Sequence, residues 1–171
     1  MKIKTAEDYK DSLKNLKTKI YAQGEKVSDV TVHPLFQPHC NCASMTYKLA
    51  LVPEYEKVLT ARSHLTGRTI SRFTHIHQNT EDLVAKVKMM RLIGQNTAAC
   101  FQRCVGLDGL NSVYTVTYEI DEKHGTHYHE KFKEYLKYIQ EENLMVVGAM
   151  TDAKGDRGLR PAEQKDKDLY T

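Results

Sequence analysis

Three stretches of the chain carry apolar residues at three- and four-residue spacing, which is the pattern of amphipathic helices. The first begins after Thr5, a capping residue, and is expected to run to Gly24. The second runs from Thr80 to Gly94 and has two acidic residues in its first turn, where they complement the positive helix end. The third follows Thr126. Its apolar face consists of Phe132, Tyr135, Leu136 and Ile139.

The segment 97–120 is apolar almost all round, which predicts a helix buried in a bundle. Its later part, SVYTVTYEI, also has strand propensity. Shorter helices are predicted over 41–51 and 54–61. The segments 26–39 and 66–78 contain Pro, Gly and β-branched residues, so we expect loops with brief extended pieces there.

The character of the chain changes after residue 142. Residues 143–151, NLMVVGAMT, have the pattern of a strand, whereas nine of the last 19 residues are charged and show no apolar periodicity. We therefore expect a mainly α fold, with a helical N-terminal domain over 1–142. Residues 143–171 are then the truncated start of a β domain.

Composition and charge narrow the function classes. The chain has 171 residues with 25 Lys and Arg against 22 Asp and Glu, a net charge of +3 that is too weak for a typical nucleic-acid binder. No apolar run is long enough to cross a membrane, and the N terminus lacks the apolar core of a secretory signal. We expect a cytoplasmic protein. Its four Cys are then free thiols or metal ligands.

Cys100 and Cys104 are the strongest chemical signal. If the segment is helical, residues four apart lie on one face, so two thiolates could hold one metal ion or two corners of an iron–sulfur cluster. They make half of such a site, since four ligands are needed. The alternative is a pair of small buried side chains. Gln102 and Arg103 are polar residues in an apolar segment, and burying them requires partners.

Other ligand sets fit less well. Cys40 and Cys42 would complete a four-Cys zinc site, but their spacing is not that of a zinc knuckle. His75 and His77 alternate on a possible strand, and His127 and His129 do so too. The second pair more naturally lies on a helix, where positions two apart point in different directions, so we expect solvated or hydrogen-bonding histidines there.

A second candidate site lies at 148–157, GAMTDAKGDR. Backbone donors, a hydroxyl and an Arg fork suit a phosphate or the polar edge of a ring cofactor. The glycine spacing of the Walker and dinucleotide-binding motifs is missing, so a polar turn between domains is the alternative.

Five stretches of the sequence together resemble a known family. They are TAEDYKDSLKNLKTKIYAQGEKV, NCASMTYKLA, KVKMMRLIGQNTAACFQRCVGLD, TYEIDEKHGTHYHEKFKEYLKYIQEENL and GAMTDAKGDRG. Over residues 5–171 the chain resembles the N-terminal part of the 4-hydroxyphenylacetate 3-hydroxylase flavoprotein family. TAACFQRCVG is similar to its cluster-containing dehydratase branch, because the family's monooxygenases lack these cysteines.

The resemblance implies an acyl-CoA-dehydrogenase-like fold, FAD and a [4Fe-4S] cluster. Cys100 and Cys104 match two cluster ligands, and the other two, a His and a Cys, lie in a part of the family sequence absent from this chain. Gln102 matches a position near the active site, so it is the predicted catalytic residue. The positions matching the flavin-contacting stretch are Met150, Thr151, Asp152, Lys154, Asp156 and Arg157.

The implied reaction is dehydration of 4-hydroxybutyryl-CoA to crotonyl-CoA, with a related isomerisation of vinylacetyl-CoA, in the cytoplasm of an anaerobe. The implied partners are the acyl-CoA substrate, the remaining enzyme domains or a second chain with the missing ligands, and copies forming a tetramer. We expect the chain alone to be inactive, because two ligands cannot hold the cluster. Two alternatives stay open: part of a flavin-dependent aromatic hydroxylase without a cluster, and a non-catalytic helical interaction module.

Overall fold

The computed structural model describes residues 2–148 and 154–167. The fold is mainly helical, as the sequence predicts. The helices are α1 (Ala6–Lys14), α2 (Gln37–Lys48), α3 (Glu56–Leu59), α4 (Thr80–Thr97), α5 (Cys104–His124) and α6 (Tyr128–Glu142). Short 3-10 turns cover Leu49–Leu51, Arg72–Thr74 and Pro161–Glu163. Among the described residues, no helix combines the length and apolarity needed to cross a bilayer.

Two small antiparallel hairpins interrupt the helices. Strand β1 (Ile20–Ala22) pairs with β2 (Glu25–Val27), and β3 (Thr60–Arg62) pairs with β4 (Thr69–Ser71). The first hairpin turns at two residues with positive φ, Gln23 at 51° and Gly24 at 84°, which is the backbone that a tight two-residue hairpin needs.

The first hairpin corrects one prediction. Helix α1 ends at Lys14, not at Gly24, and Ile20 lies in β1. The N-terminal prediction is confirmed, because Thr5 accepts the backbone N–H of Asp8 at 2.9 Å and the Asp8 carboxylate accepts the N–H of Thr5 at 3.0 Å. The apolar spacing continues past the helix because Ile20 is half-buried in the hairpin, where it pairs with the buried Val27.

The apolar segment 97–120 is not one helix. Helix α4 ends at Thr97, residues 98–103 form a loop, and α5 begins at Cys104. Helix α5 is also not buried all round: its inner side includes Leu107 and Leu110, while three Val side chains on other sides are exposed. They are Val105, Val113 and Val116. The strand propensity of SVYTVTYEI is overridden, since these residues lie within α5.

Helix α6 follows α5 after a turn at Gly125, whose φ of 63° is left-handed. Leu136 and Ile139 are buried, as the amphipathic pattern predicts, whereas Tyr135 is half exposed. Thr126 does not cap α6. Its hydroxyl donates to Asp121 at 2.6 Å, and the Asp121 carboxylate accepts the first N–H groups of α6 instead.

The chain after α6 runs back across the start of α5. The described part of the predicted strand, 143–148, is irregular, so the strand prediction is wrong there, and 149–151 lie outside the described residues. A Cβ atom at Gly106 would overlap the carbonyl group of Val146. The two backbones therefore meet directly, and this contact fixes the path of 144–148 over α5.

We predict that Gly106→Ala destabilises the chain by about 1–3 kcal/mol, because the added methyl must push the Val146 backbone away. Gly109→Ala is the matched control, since Gly109 lies on the same helix with open space around its Cα. Alanine favours helix there by up to about 1 kcal/mol. Urea denaturation of both variants checks this, and equal midpoints would show that the backbone contact is absent.

Candidate functional site

In the second half of the loop 98–103, exposed and buried residues alternate. Cys100 and Gln102 are exposed, whereas Phe101 and Arg103 are 7% and 1% exposed. Cys104, the first residue of α5, is half-buried. The predicted i, i+4 spacing on one helical face is therefore wrong, because Cys100 precedes the helix. The alternative of two buried thiols is wrong for Cys100.

Two residues with left-handed backbone shape this loop. Ala98 has φ 49° and ends α4, with its N–H donating to Gly94. Gln102 has φ 66°, and its side-chain amide donates to the carbonyl of Cys100 at 3.4 Å. The left-handed turn at Gln102 separates the inward Phe101 from the inward Arg103, so the Gln102 side chain stays at the surface beside Cys100.

Arg103 anchors the loop in the core. Its guanidinium lies between two aromatic rings, 4.7 Å from the centroid of Tyr47 on α2 and 4.6 Å from that of Phe73. Nη1 donates to Thr46 Oγ1 at 3.2 Å, and Nη2 donates to the carbonyl of Leu144 at 3.3 Å. Cation–π contact with two rings suits the planar guanidinium and partly replaces the water that it has lost.

Sequence reasoning recognised that Arg103 needs partners but did not identify them. The partners lie on α2, on the 3-10 turn Arg72–Thr74 and after α6, all more than 25 residues away in the chain. Burial lowers the pKa of Arg103, and the nearby Tyr47 and Tyr9 only partly oppose that effect. The Arg residue inside an apolar segment was the one signal that the sequence carried.

The aromatic contacts extend beyond Arg103 into a continuous stack. Tyr9 on α1 stacks on Tyr47 with centroids 5.1 Å apart, and Phe73 contacts Phe101 at 5.8 Å. Successive contacts therefore run from α1 through the core to the cysteine loop, in the order Tyr9, Tyr47, Arg103, Phe73 and Phe101. We call these five residues the aromatic–arginine stack.

The cysteine loop and the start of α5 contact the residues that precede the candidate flavin stretch. Arg103 holds the carbonyl of Leu144, and Gly106 meets the backbone of Val146. Residues 144–148 lead directly into the predicted flavin-contacting positions. The start of α5 and the approach to that stretch are thus joined by a hydrogen bond and a backbone contact.

The predicted flavin residues are only partly described. Met150, Thr151 and Asp152 lie outside the described residues. Lys154 and Arg157 are exposed. Asp156 is exposed too, and its carboxylate accepts the N–H of Gly158 at 2.8 Å. The buried Gln164 side chain exchanges two hydrogen bonds with the Asp156 backbone, at 3.0 and 2.6 Å. This holds 156–164 as a compact turn with its charged side chains at the surface.

The other thiols do not complete a metal site within the described residues. There, no group of three or more His, Cys, Asp or Glu side chains is arranged to hold a metal. Cys40 is buried, with its Sγ 3.6 Å from the carbonyl of Val30, and burial raises the pKa of its thiol. Cys42 is half-buried on α2. The four-Cys zinc site is therefore not formed by this part of the chain.

Two of the histidines interact with polar side chains. His129 is buried with Nδ1 3.1 Å from Thr117 Oγ1, a hydrogen-bonding histidine as the sequence predicts. His75 is 3% exposed, and its Nε2 lies 2.9 Å from Asp82 Oδ2. Asp82 also lies 3.5 Å from Arg72, whose guanidinium donates to three backbone carbonyls around α3. Asp82 is thus the centre of a second charged cluster, which connects α4 to the chain before it.

The family follows from comparison with known proteins. The sequence matches the model described as 4-hydroxyphenylacetate 3-hydroxylase N terminal over residues 5–171. The chain belongs to this family, and its fold is that of the N-terminal part of these acyl-CoA-dehydrogenase-like proteins. The resemblance found in the sequence is confirmed.

Two relatives are close. The 4-hydroxybutyryl-CoA dehydratase/vinylacetyl-CoA-Δ-isomerase of Clostridium aminobutyricum is 57% identical over 166 residues, covering 97% of this chain and 34% of that protein. The structure of an oxygen-tolerant archaeal 4-hydroxybutyryl-CoA dehydratase from N. maritimus has a TM-score of 0.87 at 49% identity, covering 98% of this chain and 33% of that one. The chain thus spans about a third of the length of these relatives.

A more distant solved structure shares the fold. The oxygenase component of 4-hydroxyphenylacetate 3-monooxygenase, complexed with FAD, has a TM-score of 0.67 at 23% identity. The match covers 96% of this chain and 34% of that one.

The Asp82 cluster predicts how stability depends on pH. Burial favours the neutral acid, but the Gln78 N–H, His75 and Arg72 outweigh it and hold the pKa of Asp82 below its ordinary value of 3.8. A lowered folded-state pKa stabilises the chain above the unfolded value, and this stabilisation is lost as the pH falls through the folded value. We therefore expect Asp82→Asn to weaken the chain at neutral pH and to flatten its loss of stability below about pH 4.

Urea denaturation between pH 7 and pH 3 measures this effect. Glu81→Gln is the matched control, because Glu81 is the exposed neighbour in the same helical turn. It should retain the steep acid limb of the wild type. If Asp82→Asn loses stability as steeply as the wild type when the pH falls, the Asp82 carboxylate is not the group responsible for the acid-induced loss of stability.

Proposed function

We propose that the chain is the N-terminal portion of a FAD- and [4Fe-4S]-dependent 4-hydroxybutyryl-CoA dehydratase that also isomerises vinylacetyl-CoA. The observation that carries the proposal is the thiol pair of a loop held in place by Arg103: Cys100 is exposed, and Cys104 is half-buried at the start of α5. The identity to named dehydratases supports the same reaction.

The donor chemistry of the loop fits a cluster. Thiolates are the usual ligands of iron–sulfur clusters, and these two cysteines are free thiols. Cys100 faces outward, where ligands from another part of the enzyme can approach it. The two cysteines supply half of the ligand set. The family resemblance implies that the other two ligands, a His and a Cys, lie in a part of the enzyme outside this chain.

Dehydration of 4-hydroxybutyryl-CoA to crotonyl-CoA removes one hydrogen from C2, one from the unactivated C3 and the hydroxyl from C4. One hydrogen returns to C4, so water leaves and the C2=C3 double bond forms. When bound, the flavin would supply redox chemistry at the C3–H bond, and the cluster would supply Lewis acidity at the hydroxyl. This chain contributes Cys100 and Cys104 as ligands. Gln102 holds an exposed amide next to Cys100, with one N–H directed back to the loop, and is proposed to orient the substrate.

The flavin is proposed to contact Met150, Thr151, Asp152, Lys154, Asp156 and Arg157. The compact turn at 156–164 keeps Arg157 at the surface, where its guanidinium fork is available to a phosphate or ring oxygen. The contacts of Arg103 and Gly106 with Leu144 and Val146 hold the residues that precede this stretch against the start of α5. That proximity supports a single active site containing both cofactors.

The wider setting is part of the same proposal. Residues 1–142 form the helical domain and 143–171 begin the β domain, and the remaining domains or a second chain complete the site. The enzyme acts in the cytoplasm of an anaerobe as a homo-oligomer. The aromatic hydroxylase alternative is less well supported, because the thiol pair has no role in a reaction that needs no cluster.

Anaerobic reconstitution with iron and sulfide tests the proposal on the complete enzyme that carries this chain at its N terminus. The wild type should gain cluster absorbance and an EPR signal after reduction, and Cys100→Ala and Cys104→Ala should each lose most of both. Cys42→Ala is the matched control, because this half-buried thiol lies elsewhere, on α2. Equal spectra for all four proteins would contradict the dehydratase assignment.

A further inference from the structure

The residue next to Cys104 carries a buried charge with unusual partners. Arg103 is 1% exposed, and its two hydrogen bonds go to neutral oxygens. It takes part in none of the ion pairs found among residues 2–148 and 154–167. Its Nε is buried and has no hydrogen-bond partner in the same part of the chain.

This arrangement is expensive if its only role is packing. A buried cation loses its hydration, and Arg103 regains only two hydrogen bonds to neutral oxygens and its contacts with two aromatic rings. The free-energy cost of burying the guanidinium therefore indicates a role that requires a fixed, planar cation.

The geometry indicates what that is. Arg103 contacts α2, the 3-10 turn at Phe73 and the chain at Leu144, so three separate segments hold one side chain. Phe101 is held on the same inner side by Phe73. Because the side chains of Phe101 and Arg103 are fixed in the core, those of Cys100 and Gln102 must point to the outer side of the loop. The position of Cys104, the first residue of α5, is fixed in the same way.

We propose that Arg103 is a positioning residue for the cluster. It fixes the relative placement of the two cysteines and supplies a permanent positive charge on the inner side of their loop. This inference rests on the proposed function, which identifies the group held by the thiols as an iron–sulfur cluster. Thiolate ligands give a cluster site negative charge, and nearby charge is one of the factors that set a cluster's reduction potential. A fixed cation should make the cluster easier to reduce.

The anchoring part is tested on the 171-residue chain by hydrogen–deuterium exchange, with no cluster needed. Arg103→Met should speed exchange of the amides at 99–104 and 144–146 at least tenfold and leave most of α4 unchanged. Arg91→Met is the control, because Arg91 is exposed on α4. Thr46→Val removes the Nη1 acceptor, together with the hydroxyl's own hydrogen bond to the Ala43 carbonyl within α2, and leaves Arg103 in place. It should therefore loosen the same amides to a smaller degree, and it keeps the test available if Arg103→Met unfolds the chain.

The charge part is tested in the reconstituted complete enzyme by the midpoint potential of the cluster. Arg103→Met should shift it to more negative values. Phe101→Leu loosens the same loop but keeps the charge, and should stay near the wild-type potential. Arg103→Lys keeps the charge without the planar stack, so it should recover part of the potential but little of the exchange protection.

The outcomes separate the inference from the proposed function. Unchanged exchange in Arg103→Met, or in Thr46→Val if the first variant unfolds, overturns the anchoring role whatever the thiols bind. Equal potentials in Arg103→Met and Phe101→Leu overturn the charge role. If the wild type takes up no cluster, the proposed function fails, and the exchange data alone decide whether Arg103 holds the loop.

Discussion

A guanidinium between two aromatic rings sets the arrangement of this fold. Arg103 covers the rings of Tyr47 and Phe73 in the core, and the oxygens of Thr46 and Leu144 accept its hydrogen bonds there. Each of these partners belongs to a different part of the chain. Helix α2, the turn before α4 and the chain after α6 must therefore come together around one planar cation, and the cysteine loop takes its shape from that meeting.

The sequence predicts the elements whose stabilisation is local. Helix α6 is found where its apolar spacing places it, and α4 begins at Thr80, where its acidic first turn predicts, because both signals lie within the element. Helix α4 runs on to Thr97, beyond the predicted end at Gly94. Its apolar pattern also predicts the wrong buried face: Leu83, Val84 and Val87 are exposed, and the buried residues are Met89 and Ile93. The end of α1 was missed because a two-residue turn at Gln23 and Gly24 diverts an apolar pattern into a hairpin. Spacing alone cannot separate a buried strand residue from the next turn of a helix.

The candidate site shows the same division. Residue type singled out Cys100, Cys104 and Arg103, because thiols and an Arg within an apolar segment are unusual without a purpose. Their geometry depends on contacts more than 25 residues away in the chain, so periodicity produced a continuous helix where the structure has a loop. The segment 143–148 was missed for the same reason: its backbone follows α5 and Arg103 instead of pairing with another strand.

The contact at Gly106 has a mechanical consequence. With no side chain between the two backbones, the first turn of α5 and the segment at Val146 have no compressible layer to absorb relative motion. A displacement of one must be transmitted to the other almost undiminished. A displacement of the start of α5, where Cys104 lies, is therefore transmitted to the backbone at Val146. A displacement at Val146 is transmitted to the start of α5 in the same way.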